Sequence, residues 1–351
     1  MLRFWGLLGI TILLLTHCHE KPVPPTAPID TTQTVNDTVY TPVRPPWTGF
    51  RRPSDVLVGR EPFIYVADTD NDRVVMLDLA GRWLGTATGI KRPVALAQDG
   101  RFDLLVCGEL DTVLNGKPVT VGAIYRIELR VVAHQIAKAP VRVVYTELQK
   151  PARRFTGITV LPDNSYLVTR TGPSNVSPVD PDDAVIQIGA DDQLISPVPV
   201  LRPVGTALNS LQQPSGISVT GRNTYDFAFT QIGPDMQFKV QWLRYMGGEI
   251  ADWRPKFTPA DDTDLLRVNR FSQPEDVTYD RYGNLYVIDA GKDSLYKFNV
   301  FGQEFSYSFG GSGDGLRQFR QPKGVAFYNG ILYIADTGND RILRFRLSSD
   351  Y

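Results

Sequence analysis

The side chains able to do chemistry fall into three groups, each suggesting a different task. Acids come in close-set clusters. Asp68-Thr69-Asp70-Asn71-Asp72 alternates carboxylates at the spacing of a Ca²⁺ loop, where oxygens two residues apart converge on one hard cation. No Glu follows where such a loop closes, and the same spacing returns at Asp336-Thr337-Gly338-Asn339-Asp340, which marks a recurring turn. Asp180, Asp182 and Asp183, and Asp261, Asp262 and Asp264, lie in loops where solvated charge is the default. Ca²⁺ is therefore the weaker expectation, and no resident cofactor is expected. Histidine is scarce: His17 and His19 are near the N-terminus and His134 stands alone thereafter, in VVAHQIAK, which reads as an outer strand or edge. One imidazole builds neither a multi-histidine zinc site nor a triad. Cations form the third group. Arg52, Arg92, Arg154, Arg170, Arg320 and Lys323 are the candidate binding residues, with Arg51, Lys91, Lys150, Arg153, Arg267, Arg270 and Arg317 nearby in sequence. Guanidinium forks suit carboxylate or phosphate. Neighbouring acids such as Asp55, Asp68, Asp276, Asp289 and Asp336 offer the alternative that these cations are paired within the protein.

The elements that must hold these groups are many and short. The chain has 351 residues, 42% of them hydrophobic, enough to bury a large core. Its formal net charge of -1 gives no overall attraction to nucleic acid or to an acidic surface, so any recognition of anions is local. The 30 glycines and 26 prolines are spread along the chain, as expected where turns separate short strands. Cys107 lies in the apolar run Leu104-Leu105-Val106-Cys107 and reads as a small buried hydrophobe rather than half of a disulfide.

One unit recurs six times. Its last copy is the fullest, running from Gly311 through Pro322-Lys323-Gly324-Val325-Ala326-Phe327 to GILYIADTGNDRILRF. The fifth reads QPEDVTYDRYGNLYVIDAGKDSLYKF from Gln273, and the first RPSDVLVGREPFIYVADTDNDRVVML from Arg52. Three further copies are degenerate and start at Pro93, near Phe155 and at Pro214. Each unit runs apolar for four to six residues between Gly, Pro, Asp and Asn, which is strand grammar. A small sheet cannot bury both faces alone, so such units stack radially. The last copy ends at Leu347 with three strands, and Val35–Tyr40 is expected to supply the fourth and close the ring.

Copies one, five and six resemble NHL repeats: a Pro, a short apolar strand, an Ile-Tyr-Val-Ala-Asp-like strand, an Asn-x-Arg turn and a third strand. The resemblance implies an all-β, six-bladed β-propeller over residues 36–351. It also implies that strands run outward from the channel, so loops joining second to third strands share a face with the loops between blades. On that face the sequence places two enlargements, roughly Gly108–Gly122 and Arg170–Asp183, beside the candidate cations. Long loops on a rigid scaffold concentrate function. Similar propellers include zinc-dependent amidating lyases and calcium-dependent lactonases. Here the channel-end positions are Ser54, Val94, Thr156, Ser215, Glu275 and Lys323, and only Glu275 is acidic.

The N-terminus reads as a secretion signal: Arg3, then the apolar run Leu7–Leu15, too short to span a bilayer. Leu15-Thr16-His17-Cys18 resembles the lipobox of bacterial lipoproteins, which implies a signal peptide over 1–17, lipidation at Cys18 and a Pro/Thr-rich tether over 18–35. His17 stands where that motif has a small residue. The expected protein is an envelope-anchored binding or scaffold propeller, periplasmic or surface-exposed, held to the membrane by its lipid. Its partner would be an envelope protein or an anionic glycan or peptide, with no nucleic acid. A metal-dependent lactonase-like hydrolase or lyase is the alternative.

Overall fold

The computed structural model describes residues 40–221, 223–247, 252–305 and 309–347; residues 1–39, with the expected signal peptide, Cys18 and tether, lie outside them. Six four-stranded antiparallel sheets follow one another along the chain. Blade 1 comprises Pro53–Val58, Ile64–Asp68, Arg73–Leu77 and Trp83–Thr88. Blade 2 comprises Lys91–Gln98, Leu104–Leu114, Lys117–Ile127 and Val141–Thr146, and blade 3 Arg154–Val160, Tyr166–Thr171, Ala184–Ile188 and Leu194–Pro197. Blade 4 comprises Pro214–Val219, Phe227–Gln231, Val240–Tyr245 and Trp253–Pro255. Blade 5 comprises Pro274–Tyr279, Leu285–Asp289, Ser294–Phe298 and Phe309–Gly310. Blade 6 takes Gly324–Tyr328, Ile331–Asp336 and Arg341–Leu347 from the C-terminal end and Tyr40–Pro42 from the N-terminal end. Apart from short 3₁₀ turns, the described residues hold no helix.

The second strand of each blade explains the stacking. Ile64–Asp68, Leu285–Asp289 and Phe227–Gln231 are buried along their whole length, because both faces of each sheet are covered by neighbouring blades. These strands therefore read as continuous apolar runs rather than alternating ones. Each pair of adjacent blades shares its own apolar cluster. The sixth cluster joins Val56, Val66 and Val75 of blade 1 to Tyr333, Ala335 and Ile342 of blade 6, closing the ring. The ring is therefore neither open nor five-bladed.

Closure depends on the outer strand of blade 6, where Tyr40 pairs with Leu347, Thr41 with Arg346 and Pro42 with Phe345. The expected fourth strand is thus present at Tyr40–Pro42, two residues past the expected end at Tyr40; residues 35–39 of the expected strand lie outside the described residues. Hydroxyls stitch the inner strands together. Thr69 donates to the Pro93 carbonyl, Thr156 to Pro214, Ser215 to Pro274 and Thr337 to Pro53, each at 2.7 Å. The proline that begins an inner strand has no N–H, and its carbonyl ties the blade to its predecessor.

Two expectations need correction. The enlargement of blade 2 is not a loop: its middle strands lengthen into a paired hairpin, Leu104–Leu114 with Lys117–Ile127, turning at Asn115-Gly116. Both turn residues have positive φ, 51° and 77°, as a tight hairpin turn requires. His134 lies not on an outer strand but between two short 3₁₀ turns, with φ 61°, its ring edge-on to Phe102.

Candidate functional site: the channel mouth

The face carrying the second-to-third-strand turns and the inter-blade loops opens on the channel mouth. A cavity of about 400 Å³ there is walled by Arg92, Glu109, Arg154, Thr156, Glu275 and Lys323, with Phe155 and Ile232 as apolar floor. That volume is in the range of small-ligand sites. A deeper cavity of about 320 Å³ continues down the channel between the inner strands.

How the mouth is framed depends on one repeat position, the last residue of the second strand in blades 1, 4, 5 and 6 and its equivalent within the longer second strands of blades 2 and 3. In blades 1, 5 and 6 it is Asp68, Asp289 and Asp336, all fully buried. Asp68 accepts the Arg51 N–H at 2.6 Å, Asn71 at 2.9 Å and the Arg73 guanidinium at 2.6 Å. Asp336 repeats this with Arg320 N–H, Asn339 and Arg341. A buried carboxylate survives because it anchors the incoming loop, its own turn and the next strand at once. In blade 4 the position is Gln231, whose amide accepts from Gln212 N–H and donates to the Ser210 and Phe238 carbonyls. In blade 3 the sign inverts. Arg170, 2% exposed, donates to Glu147 at 2.6 Å, to Asp180 at 2.9 Å and to the Pro181 and Asp182 carbonyls. Arg153 joins it through Glu147, Asp180 and Asp182, so two guanidiniums and three carboxylates order the segment 172–183. Burial alone would raise Asp180, but Arg153 and Arg170 hold its carboxyl below the usual range. In blade 2 the position is Gly108, a Cβ on which would meet the Lys91 carbonyl at 2.8 Å, and the hairpin continues past it.

The turns carry a second device. Asp72, Asp293 and Asp340 close their turns in the left-handed region and accept the N–H of Arg92, Gln321 and Arg52 on the following blade. Those three acceptors' partners are themselves left-handed, each one residue before the inner-strand proline or its equivalent. Asp68 and Asp72 are thus spent on backbone donors and on Arg73, and the Asp68–Asp72 segment is a joint between blades.

Of the six candidate cations, Arg92, Arg154 and Lys323 line the mouth. Lys323 sits 3.2 Å from Glu275, Arg154 3.2 Å from Glu109, and Arg92 3.0 Å from Asp70. Arg52 flanks the same Asp70 from the other side at 3.8 Å, on the rim. Arg170 is inside the blade 3 network, and Arg320 is exposed, its N–H held by Asp336 and its guanidinium in no ion pair among the described residues. The pairing expected from sequence is therefore real for most of them, but with other partners than expected: Asp70, Glu109, Glu147, Asp180 and Glu275, rather than Asp55, Asp276 or Asp289. Glu147 carried no sequence signal for this role and Arg153 showed only as a nearby cation, because they lie 23 and 17 positions from Arg170 in the chain. The hairpin did carry one, since Asn-Gly between strand-forming residues is a strong two-residue turn signal.

Asp55 and Asp276 line the deeper channel instead. Asp55 accepts the N–H of Val56 and, across the blade boundary, of Leu96 at 2.7 Å; Asp276 accepts that of Val325 at 2.9 Å. Burial pushes the Asp55 carboxyl up to about 7, and burial with the Asp55 charge raises Asp276 as well. In blade 6 the equivalent residue is Gly324, where a Cβ would meet Asp55 Cα at 2.6 Å, so the two acids flank a glycine that leaves them room. Among the described residues no three His, Cys, Asp or Glu side chains are disposed to hold a metal ion, so a carboxylate calcium cage does not fit this channel.

No protein-family model matches the chain, and no curated protein matches it in sequence. Solved structures do share its shape. A gluconolactonase from Xanthomonas campestris is 14% identical with a TM-score of 0.56, over 90% of this chain and 99% of that one. An auxiliary nutrient binding protein from Bacteroides ovatus is 12% identical with a TM-score of 0.57, over 86% and 70%. Virginiamycin B lyase from Staphylococcus aureus is 12% identical with a TM-score of 0.52, over 88% and 99%. The chain is a six-bladed β-propeller. At these identities the likeness is one of fold, and three neighbours as different as a gluconolactonase, a nutrient binding protein and a lyase show how little that fold says of chemistry.

Proposed function

We propose that this chain is an envelope-anchored binding propeller of the NHL type that receives a ligand or partner at the channel mouth. The observation that carries the reading is that one small-molecule-sized cavity is walled at the base of both elaborations, by Gly108 and Glu109 of the blade 2 hairpin and by Thr171, from which the ordered 172–183 segment departs. Blades 1, 5 and 6 have four-residue turns there, and blade 4 an eight-residue connection, 232–239. The wall supports an anionic glycan or peptide. Arg92, Arg154 and Lys323 each stand in an exposed or half-exposed ion pair, whose strength in water is modest, so a ligand carboxylate can replace the protein's own. The buried pairs of blade 3, by contrast, are framework.

Topology supports an orientation. Tyr40 pairs with Leu347, at the end of its strand remote from the Asp336–Arg341 turn, so the N-terminal segment joins the face opposite the mouth. The test is capture of partners from envelope extracts by the full chain and by a variant whose blade 2 hairpin is shortened to the regular length. Loss of a partner on shortening supports the site, and identical partner sets would remove it. A panel of lactones assayed with and without Ca²⁺ checks the hydrolase alternative, for which the channel side chains offer no metal cage; turnover that needs Ca²⁺ would revive it.

A further inference from the structure

We propose that the face opposite the mouth docks on an anionic bilayer surface through the arc of blades 5, 6, 1 and 2; this rests on the envelope anchorage proposed above. The turns of that face share one construction. Asp78, Asp99, Asp280 and Asn299 each accept two backbone N–H groups of their own turn, at residues two and four positions on, over 2.8–3.1 Å. The carboxylates are thereby folded inward and the residues between them are held at rigid tips. Nothing in that geometry asks for apolar tip residues, since the bonds involve only the Asp or Asn side chain and the backbone. Yet the tips are Leu79, Phe102, Tyr282, Val300 and Phe301, with Phe301 69% and Tyr282 57% exposed. Apart from Trp83, which lies within a strand, every exposed large aromatic among the described residues is on one of these turns, while the exposed apolar residues of the mouth face are aliphatic.

Charge follows the same arc. Arg60 and Arg82 of blade 1, Arg101 and Arg130 of blade 2 and Arg281 of blade 5 are exposed beside those tips. Across the face, blade 3 presents exposed Asp163 and Asp191 instead. Blade 6, in the middle of the basic arc, is where the chain enters at Tyr40, preceded in the sequence by the apolar run Leu7–Leu15 and Cys18. Three independent features thus converge on one side of one face: apolar tips, arginines and the covalent route toward the expected anchor. The tips are separate rather than a contiguous patch. That suits insertion of single side chains among headgroups, with arginines on the anionic lipids, better than a close-packed protein interface.

The experiment uses the full chain in vesicles of phosphatidylethanolamine with phosphatidylglycerol, with intact mass reporting acylation at Cys18. Phe301→Cys and, as control, Val176→Cys on the mouth face carry an environment-sensitive fluorophore; Cys107 is buried and does not compete. The expected result is a blue-shifted emission at position 301, quenched by lipid-borne quenchers, and aqueous emission at 176. Arg101→Glu combined with Arg281→Glu should weaken docking by about tenfold or more, since each basic residue near such a surface contributes on the order of 1 kcal/mol. Equal, aqueous emission at both positions overturns the proposal. So does a shift that tracks protein density and is the same on neutral phosphatidylcholine, which would indicate pairing of two copies. If the mass shows no acyl group at Cys18, the anchorage reading fails separately. Phe301→Cys and Val176→Cys in a Cys18→Ser chain, labelled and added to preformed vesicles, then decide the face, because lipid-dependent emission at 301 upholds it and its lack overturns it.

Discussion

In blades 1 and 6 the second strand ends on a buried aspartate that gathers donors from the incoming loop, its own turn and the next strand. In blade 3 the same position holds Arg170, and everything around it has changed sign to match: acceptors Glu147, Asp180 and two carbonyls replace the donors. The packing problem is the same, to tie a loop to a strand end beside the channel without leaving a polar group unpaired. The aspartate solution uses donors that are locally at hand, backbone N–H groups and, in blades 1 and 6, a turn Asn, and so it can recur. The arginine solution needs carboxylates brought from a longer loop, and that need accounts for the ordered 172–183 segment. Elaboration at the mouth and loss of the repeat's residue are thus one event seen twice.

Several substitutions would break or sharpen this contrast. Arg170→Asp, which restores the residue of the regular blades, is expected to have the largest effect. It places a third acid against Glu147 and Asp180 and leaves Arg153 to compensate alone, a loss of about 4–5 kcal/mol by the measure of broken buried pairs, read in denaturant unfolding. A milder loss would show that blade 3 accepts either sign. Asp336→Ala should cost about 3 kcal/mol, because the Arg320 N–H, Asn339 and Arg341 lose their common acceptor, with Asp336→Asn in between. If the mutation in blade 6 proves neutral, the repeat position is not the joint described here.

The channel acids give a pH-dependent prediction of similar or smaller size. Asp55 has its carboxyl raised by burial to about 7, so the native state holds its proton more tightly than the unfolded chain does. That contribution is complete at pH below about 4 and is lost as pH rises through about 7, amounting to about 2–4 kcal/mol. Unfolding midpoints measured from pH 4 to 8 should fall accordingly, and Asp55→Asn should flatten the slope. An unchanged slope would place the titration elsewhere. The smallest effect is expected at the hairpin tip. Gly116→Val forces a branched residue to φ 77°, at about 1–2 kcal/mol, yet the tip stands outside the core. Hydrogen exchange should quicken in the hairpin strands near the turn while the global midpoint barely moves; a large global loss would mean that the hairpin is part of the folding unit.

The architecture was legible because its signals are local and repeated. Prolines or their equivalents at the start of inner strands, apolar second strands and Asp-rich turns each report on a few adjacent residues, and six copies make the count robust. Asn115-Gly116 also announced a hairpin, although the stretch around it has enough polar residues to read as loop. Arg170 and Arg92 could not be told apart in that way. Both are arginines flanking a turn, yet one is buried among carboxylates and the other stands on the rim beside Asp70.

Sequence alone therefore determined the all-β class, the number of blades and the joining of the two chain ends in one sheet, because strand and turn preferences are properties of short segments. Tertiary structure decided which cations are framework and which face the mouth, that Asp55 and Asp276 share a channel, and that apolar turn tips and arginines lie on the same arc as the chain's entry. Those facts depend on which blades are neighbours and on how deeply each group is withdrawn from water. Charge has a long reach and a cost set by burial, so its meaning at Arg170 or Asp55 appears only once the ring has closed around it.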